Sequence, residues 1–174
     1  MKILIVGNGA RESAIAMKLQ GDSRISKMYF ANGNATTAKL GQNVYEESVV
    51  ALRNFALKER IDLTIVGPEA PLVEGIVDDF KEHGLKIFGP RKRTAELEGS
   101  KAFSKKFMQT NNIKTAKAVV FDAYQDAMDY VKTQKFPLVI KASGLAGGKG
   151  VVIATDLAEA ELTIHRFMIE RIYG

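Results

Sequence analysis

The chain has 174 residues, 46% of them hydrophobic, with a formal net charge of +5, two His and no Cys. This length suits one or two domains with a packed core, and the lack of Cys excludes a disulfide scaffold and a thiolate metal site. His83 and His165 are too few for a His-based zinc site, and no apolar run has the length of a signal peptide or membrane span, so a cytoplasmic, soluble protein is expected.

Lys2–Val6 reads as a short apolar strand, Gly7-Asn8-Gly9 as a turn, and Arg11–Leu19 as a helix with Ile15 and Leu19 on one face. Met28–Ala31 is the second strand, ended by Asn32-Gly33-Asn34. Ser48–Lys58 places Val49, Leu52 and Phe55 or Ala56 at helical spacing. Asp62–Val66 is the third strand, stopped by Gly67-Pro68. Leu72–His83 is a helix closed by Gly84, a residue suited to the C′ position. Leu85–Phe88 is the fourth strand, stopped by Gly89-Pro90. Strands alternating with helices predict an α/β fold built on a doubly wound parallel sheet.

Beyond Phe88 the rhythm changes. Thr94–Glu98 and Ser100–Gln109 read as helices, Ala118–Phe121 as a strand and Tyr124–Gln134 as a helix. Leu138–Lys141 and Val151–Ala154 read as strands either side of a glycine loop, and a last helix runs from Leu157 to Arg171. Two strands joined without a crossover pair antiparallel. The boundary falls near Gly89–Gly99, giving domains 1–99 and 100–174. Basic residues are dispersed among acids, and the densest cluster is only Arg91-Lys92-Arg93, so neither nucleic acid nor a membrane is an expected partner.

The glycine loop carries the most chemistry. Gly144, Gly147, Gly148 and Gly150 surround Lys149, and Lys141 interrupts the apolar run that precedes them. Backbone N–H groups that glycine lets approach closely, flanked by two lysines, suit a polyphosphate. The loop is not a Walker A motif: Ser143 stands where its first glycine belongs, Gly150 has no hydroxyl, and a strand follows in place of a helix. It reads as a flap between two strands.

Gly7-Asn8-Gly9-Ala10-Arg11-Glu12 opens a helix after the first strand, like a dinucleotide fingerprint, but Glu12 replaces its third glycine and no acid ends the second strand. An NAD oxidoreductase is therefore disfavoured. A backbone nest at that helix start still favours a phosphate. Arg11 either adds a charge-assisted bond or faces solvent. Glu69, in the Pro-stiffened loop Gly67–Leu72, and Asn32–Asn34 with Thr36 and Thr37 lie at the same expected sheet edge. Ser100 is a plausible N-cap for a helix whose first turn carries Lys101, while Lys105 and Lys106 read as solvated.

Gly7-x-Gly9-x-Arg11-Glu12, Asn32-Gly33-Asn34, Ile65-Val-Gly-Pro-Glu-Ala-Pro-Leu72, Ile87-Phe-Gly-Pro90, Leu97-Glu-Gly-Ser-Lys-Ala-Phe103 and Val139-Ile-Lys-Ala-x-Gly-Leu-Ala-x-Gly-Lys-Gly-Val151 occur in this order. Together they closely resemble the phosphoribosylamine–glycine ligase (glycinamide ribonucleotide synthetase) family of purine biosynthesis, within the ATP-grasp superfamily. The resemblance spans the chain. It implies a Rossmann-like pre-ATP-grasp domain over 1–99, followed by the first, incomplete α+β part of an ATP-grasp domain over 100–174.

The resemblance also implies an ATP-dependent carbon–nitrogen ligase that joins glycine to 5-phosphoribosylamine through a glycyl phosphate, releasing ADP and phosphate. It assigns Lys101 and Lys141 to the ATP phosphates and Gly144, Gly147, Gly148, Lys149 and Gly150 to the loop that covers them. Gly9, Ala10, Arg11, Glu12, Asn34, Pro68 and Glu69 fall where phosphoribosylamine is received. No catalytic side chain and no metal ligand is assigned within this chain; the Mg²⁺ ligands are expected in a further C-terminal segment, itself an expected partner. Members are more than twice this length, so the 174-residue chain is expected to be inactive alone, with an exposed apolar face near residues 117–174. The alternative is a non-catalytic remnant that binds nucleotide or phosphoribosylamine. Three motifs depart from the family pattern: Gly9-Ala10-Arg11-Glu12-Ser13 stands for Gly-Gly-Arg-Glu-His, Asn32 for Pro, and Ser143 for Asp.

Overall fold

A computed structural model of the chain describes residues 1–173. It contains two compact units, Met1–Ala95 and Glu96–Gly174. The first is built on a parallel five-stranded sheet in the order β3-β2-β1-β4-β5. Its strands are β1 (Lys2–Val6), β2 (Lys27–Ala31), β3 (Gln42–Val44), β4 (Leu63–Val66) and β5 (Ile87–Phe88). Side chains alternate across the sheet. Ile3, Ile5, Met28 and Phe30 pack on one side with Ala16 of α1 (Ala10–Leu19). Leu4, Val6, Tyr29 and Ala31 pack on the other with Leu52 and Ala56 of α2 (Val49–Glu59) and the helices α3 (Glu69–Glu74) and α4 (Ile76–Glu82). Burial on both faces is why β1 and β2 read as unbroken apolar runs.

The chain runs β1, β2, β3 outward on one side, then returns to place β4 on the other side of β1. Ligands of such sheets bind where the winding reverses, at the carboxyl ends of the strands. Here that point lies between β1 and β4.

Two features of this unit differ from the sequence expectation. β3 is a three-residue strand beside β2 whose polar Gln42 and Asn43 carry no strand pattern. The expected helix Leu72–His83 is two helices, because Gly75 adopts φ +100° and its N–H closes onto Pro71 O and Leu72 O. Leu72, Ile76 and Phe80 keep helical spacing across this break, so the pattern conceals it.

α5 (Lys92–Gly99) carries the chain into the second unit, which holds α6 (Lys101–Thr110), α7 (Tyr124–Val131), β6 (Leu138–Lys141), β7 (Val151–Ala154) and α8 (Leu157–Met168). β6 and β7 form the expected antiparallel hairpin, from Leu138↔Ala154 to Lys141↔Val151. One hairpin face, with Leu138, Ile140 and Ala154, packs on Ala127, Met128 and Val131 of α7 and on Ala160 and Ile164 of α8. Ala118–Phe121 is not a strand. Phe121 packs on Tyr130, with ring centroids 5.1 Å apart, while Val119 and Val120 stay exposed. Strand preference reflects packing against neighbours more than the chain itself, and this segment has no strand beside it among the described residues. No helix is long and apolar enough to cross a membrane among those residues.

Candidate functional site

In the first unit the loops after β1, β2 and β4 meet. Arg11 donates from Nη1 to the Gly67 carbonyl, tying α1 to the turn after β4. Asn34 donates from Nδ2 to the Asn8 carbonyl at 2.9 Å and to Ser13 Oγ at 3.0 Å, while its Oδ1 accepts from the Thr36 and Thr37 amides at 2.8 and 3.0 Å. Glu12 accepts from the Gly9 amide at 2.6 Å and is only 3% exposed. Both side chains thus face inward: Asn34 is engaged on every polar atom, and Glu12 fills the nest expected to receive a phosphate.

Gly9, Ala10 and Arg11 are exposed, and Pro68 and Glu69 are half-buried at the start of α3. A cleft of about 160 Å³ opens beside them, lined in part by Gly7, Asn8, Asn32, Glu46, Glu47 and Pro68. Glu46 and Glu47 escaped the sequence reading. They follow β3, and without that strand nothing places them at the sheet edge. Asn32 takes φ +57° and donates to the Glu46 carbonyl at 3.2 Å, which brings the two loops together.

In the second unit the glycine loop is closed at its base by the Ala142 amide on the Gly150 carbonyl at 2.9 Å. Gly150 is buried, and a Cβ there would lie 2.5 Å from that of Ala146. At the tip Gly147 and Gly148 are exposed, with φ +55° and +77°, and their amides have no hydrogen-bond partner among the described residues. Lys141 and Lys149 are exposed; Lys101 is half-buried, its Nζ donating to the Gly144 carbonyl at 3.0 Å. Beside the loop, the outer hairpin face carries Val139, Val151 and Ile153, which are 52%, 42% and 61% exposed. These are part of the apolar surface expected near 117–174. A flat apolar strip ending in free amides and ammonium groups can receive a planar base at one end and phosphates at the other.

Three contacts here were not foreseen. Ser143 accepts through its carbonyl from the Lys101 amide at 2.8 Å and through Oγ from the Ala102 amide at 3.1 Å, so it ties the loop to the first turn of α6. Tyr173 donates its hydroxyl to the Lys149 carbonyl at 3.0 Å. Lys105, read as solvated, is half-buried and holds Thr115 Oγ1 at 2.7 Å and the Ala116 carbonyl at 2.8 Å. All three join residues far apart in the chain, and only folding brings them together. Ser100 does cap α6 as expected, accepting from the Phe103 amide at 3.1 Å.

Comparison with known proteins adds independent findings. Residues 1–98 match the family model of the phosphoribosylglycinamide synthetase N domain, and residues 99–174 match that of its ATP-grasp (A) domain. The phosphoribosylamine–glycine ligase of Clostridium acetobutylicum is 52% identical over 175 residues, covering 99% of this chain and 42% of that protein. The crystal structure of the Thermotoga maritima phosphoribosylamine–glycine ligase superposes with a TM-score of 0.69 at 32% identity, over 97% of this chain and 39% of that one. The N5-carboxyaminoimidazole synthetase of Staphylococcus aureus, complexed with ADP, shares the fold, with a TM-score of 0.69 at 16% identity over 94% of this chain and 44% of that one. The chain therefore spans about 42% of the length of the curated relatives it matches. With the two family models together matching residues 1–98 and 99–174, the chain belongs to the phosphoribosylglycinamide synthetase family.

Proposed function

We propose that this chain supplies the amine-substrate domain and the start of the nucleotide domain of an ATP-dependent ligase. In this reading residues 1–99 receive 5-phosphoribosylamine and residues 100–174 begin the ATP-grasp domain. The reaction joins glycine to the amine, giving glycinamide ribonucleotide, ADP and phosphate for purine synthesis in the cytoplasm. A carboxylate oxygen of glycine takes the γ-phosphoryl group, forming glycyl phosphate and releasing ADP. The amine nitrogen then attacks the acyl carbon, phosphate leaves, and the nitrogen loses a proton. The protein's contribution is positioning and charge neutralisation.

The observation that carries this reading is the second unit's bare apolar strip, ending in the free Gly147 and Gly148 amides. Lys101, Lys141, Lys149, Gly144 and Gly150 complete the phosphate-binding loop in this proposal. On the first unit Gly9, Ala10, Arg11, Pro68 and Glu69 contact the sugar phosphate, while Glu12 and Asn34 shape the loops that carry them. The described residues contain no cluster of three His, Cys, Asp or Glu able to hold a metal. We propose that the Mg²⁺ ligands come from a further segment and that the 174 residues alone do not turn over.

The test is ADP release. A full-length relative carrying these residues should sustain ADP release over many turnovers only when glycine and phosphoribosylamine are both present, and Lys141→Ala should lower it by weakening ATP binding. Glycine-dependent ADP release by the 174-residue chain would overturn the proposed inactivity. ADP release indifferent to either co-substrate would overturn the ligase reading.

A further inference from the structure

The α1 N-terminus is where a dinucleotide-type fold places a phosphate, because its free N–H groups and dipole favour an anion. In this chain the protein's own carboxylate is already there. Glu12, in the first turn of the ten-residue helix, is 3% exposed and accepts from the Gly9 amide at 2.6 Å. Three glycines form its socket. A Cβ at Gly67 would lie 1.7 Å from Oε1, one at Gly7 2.7 Å from Cδ, and one at Gly9 3.0 Å from Oε2. Burying a carboxylate is costly unless charge-assisted bonds compensate. The socket holds this group with the short bond from the Gly9 amide, the reciprocal bond of a capping box. The neighbouring Arg11 grips the same turn, donating to the Gly67 carbonyl. Arg11 thus bonds the loop after β4, while Glu12 bonds the loop after β1 and packs tightly against Gly67 of the β4 loop, at the winding reversal of the sheet.

We propose that Glu12 is a positioning residue: an internal anion that occupies the α1 N-terminus, clamps the β1 and β4 loops together, and so directs the phosphate of a phosphorylated ribose away from that helix start. The identity of the sugar phosphate rests on the proposed function; the clamp does not. The substrate's phosphate is then met by exposed atoms of the clamped loops, Arg11 among them, and not by the nest itself.

The experiment uses the 174-residue chain, with ribose 5-phosphate, inorganic phosphate and ATP as probes. Glu12→Gln keeps the shape and removes the charge. It should fold, weaken ribose 5-phosphate about tenfold, leave ATP affinity within about twofold, and move the Gly9 amide proton resonance upfield. Glu12→Ala should in addition bind inorganic phosphate more tightly than the wild type, because the helix start is vacated. A merely structural role would lower the affinity for no probe selectively and would open no phosphate site.

Unchanged ribose 5-phosphate affinity in a folded Glu12→Gln protein overturns the positioning role. If the wild type itself ignores ribose 5-phosphate, the proposed substrate fails, and the Gly9 resonance alone decides the clamp. Should the variants not fold, hydrogen exchange of the wild type serves: the Gly9 amide, held by the buried Glu12 carboxylate, should exchange slowly, and fast exchange there overturns the clamp.

Discussion

The two glycine-rich regions of this chain solve opposite problems. The loops after β1, β2 and β4 use their polar groups on one another: Asn34 is engaged on every side-chain polar atom, Glu12 is sealed among glycines, and Arg11 holds a carbonyl. The loop between β6 and β7 leaves the amides of Gly147 and Gly148 open and stands beside an uncovered apolar strip. In the first region glycine makes room for the protein's own side chains. In the second, Gly150 does the same at the base of the loop, but the tip glycines Gly147 and Gly148 have open space around them. Glycine content alone does not distinguish a built scaffold from a receptive surface; what a Cβ would strike does.

The sharpest way to break this comparison is to add that Cβ. Gly67→Ala places a methyl carbon 1.7 Å from the Glu12 carboxylate in a buried site, and should destabilise the first unit by about 3 kcal/mol, lowering its thermal midpoint by roughly 10–20 °C. Gly147→Ala meets nothing within 4 Å and bears only the strain of φ +55°, about 1 kcal/mol. Equal losses in thermal unfolding would erase the distinction between the two regions.

Next comes the receptive side. Lys141→Ala in a full-length relative should weaken ATP at least tenfold, or about 1.4 kcal/mol, by titration calorimetry. The control is Lys106→Ala, because Lys106 is exposed, whereas Lys105 pins Thr115 and Ala116 and its loss would disturb the fold. Comparable effects at 141 and 106 would remove Lys141 from the phosphate site.

Ser143 joins the loop to α6 and offers a finer probe. Ser143→Ala deletes the acceptor of the Ala102 amide and should cost about 1 kcal/mol in the second unit's unfolding free energy. An Asp at the same place supplies a charged acceptor at a helix N-terminus and should restore or exceed the original stability.

The smallest effect concerns pH and lies away from both regions. The Tyr29 hydroxyl donates to Glu59 at 2.7 Å and, with Lys2 nearby, holds the Glu59 carboxyl below its ordinary value. Folding therefore favours the ionised form. The contribution is present above the ordinary carboxylate range and is lost as pH falls through the lowered value. Tyr29→Phe should remove that dependence, so the stability gap between the two proteins should narrow in acid. A gap constant from neutral to acid pH would show that the hydroxyl does not hold the carboxylate.

The sequence made part of this architecture legible for physical reasons. β1, β2 and β4 carry apolar runs with a single interpretation, and Ser100 sits directly before a helical pattern, as caps do. β3 was invisible because Gln42 and Asn43 take their strand form from β2 and not from apolar content. Ala118–Phe121 failed in the other direction, with strand-forming residues that find no strand beside them. At the site, the ordered motifs named the residues but not their direction. Glu12 and Asn34 turn inward because of glycines and carbonyls from other loops, a contest that no local window contains.

The central position of β1 sets a clock on the first unit. Its amides and carbonyls pair on both sides, with β2 and β4, and its side chains Ile3, Leu4, Ile5 and Val6 are all buried. Deuterium should therefore enter β1 last, near the rate of global opening, and earlier at the outer strands β3 and β5. The loops that β1 carries inherit their fixity from the slowest-opening strand in the sheet.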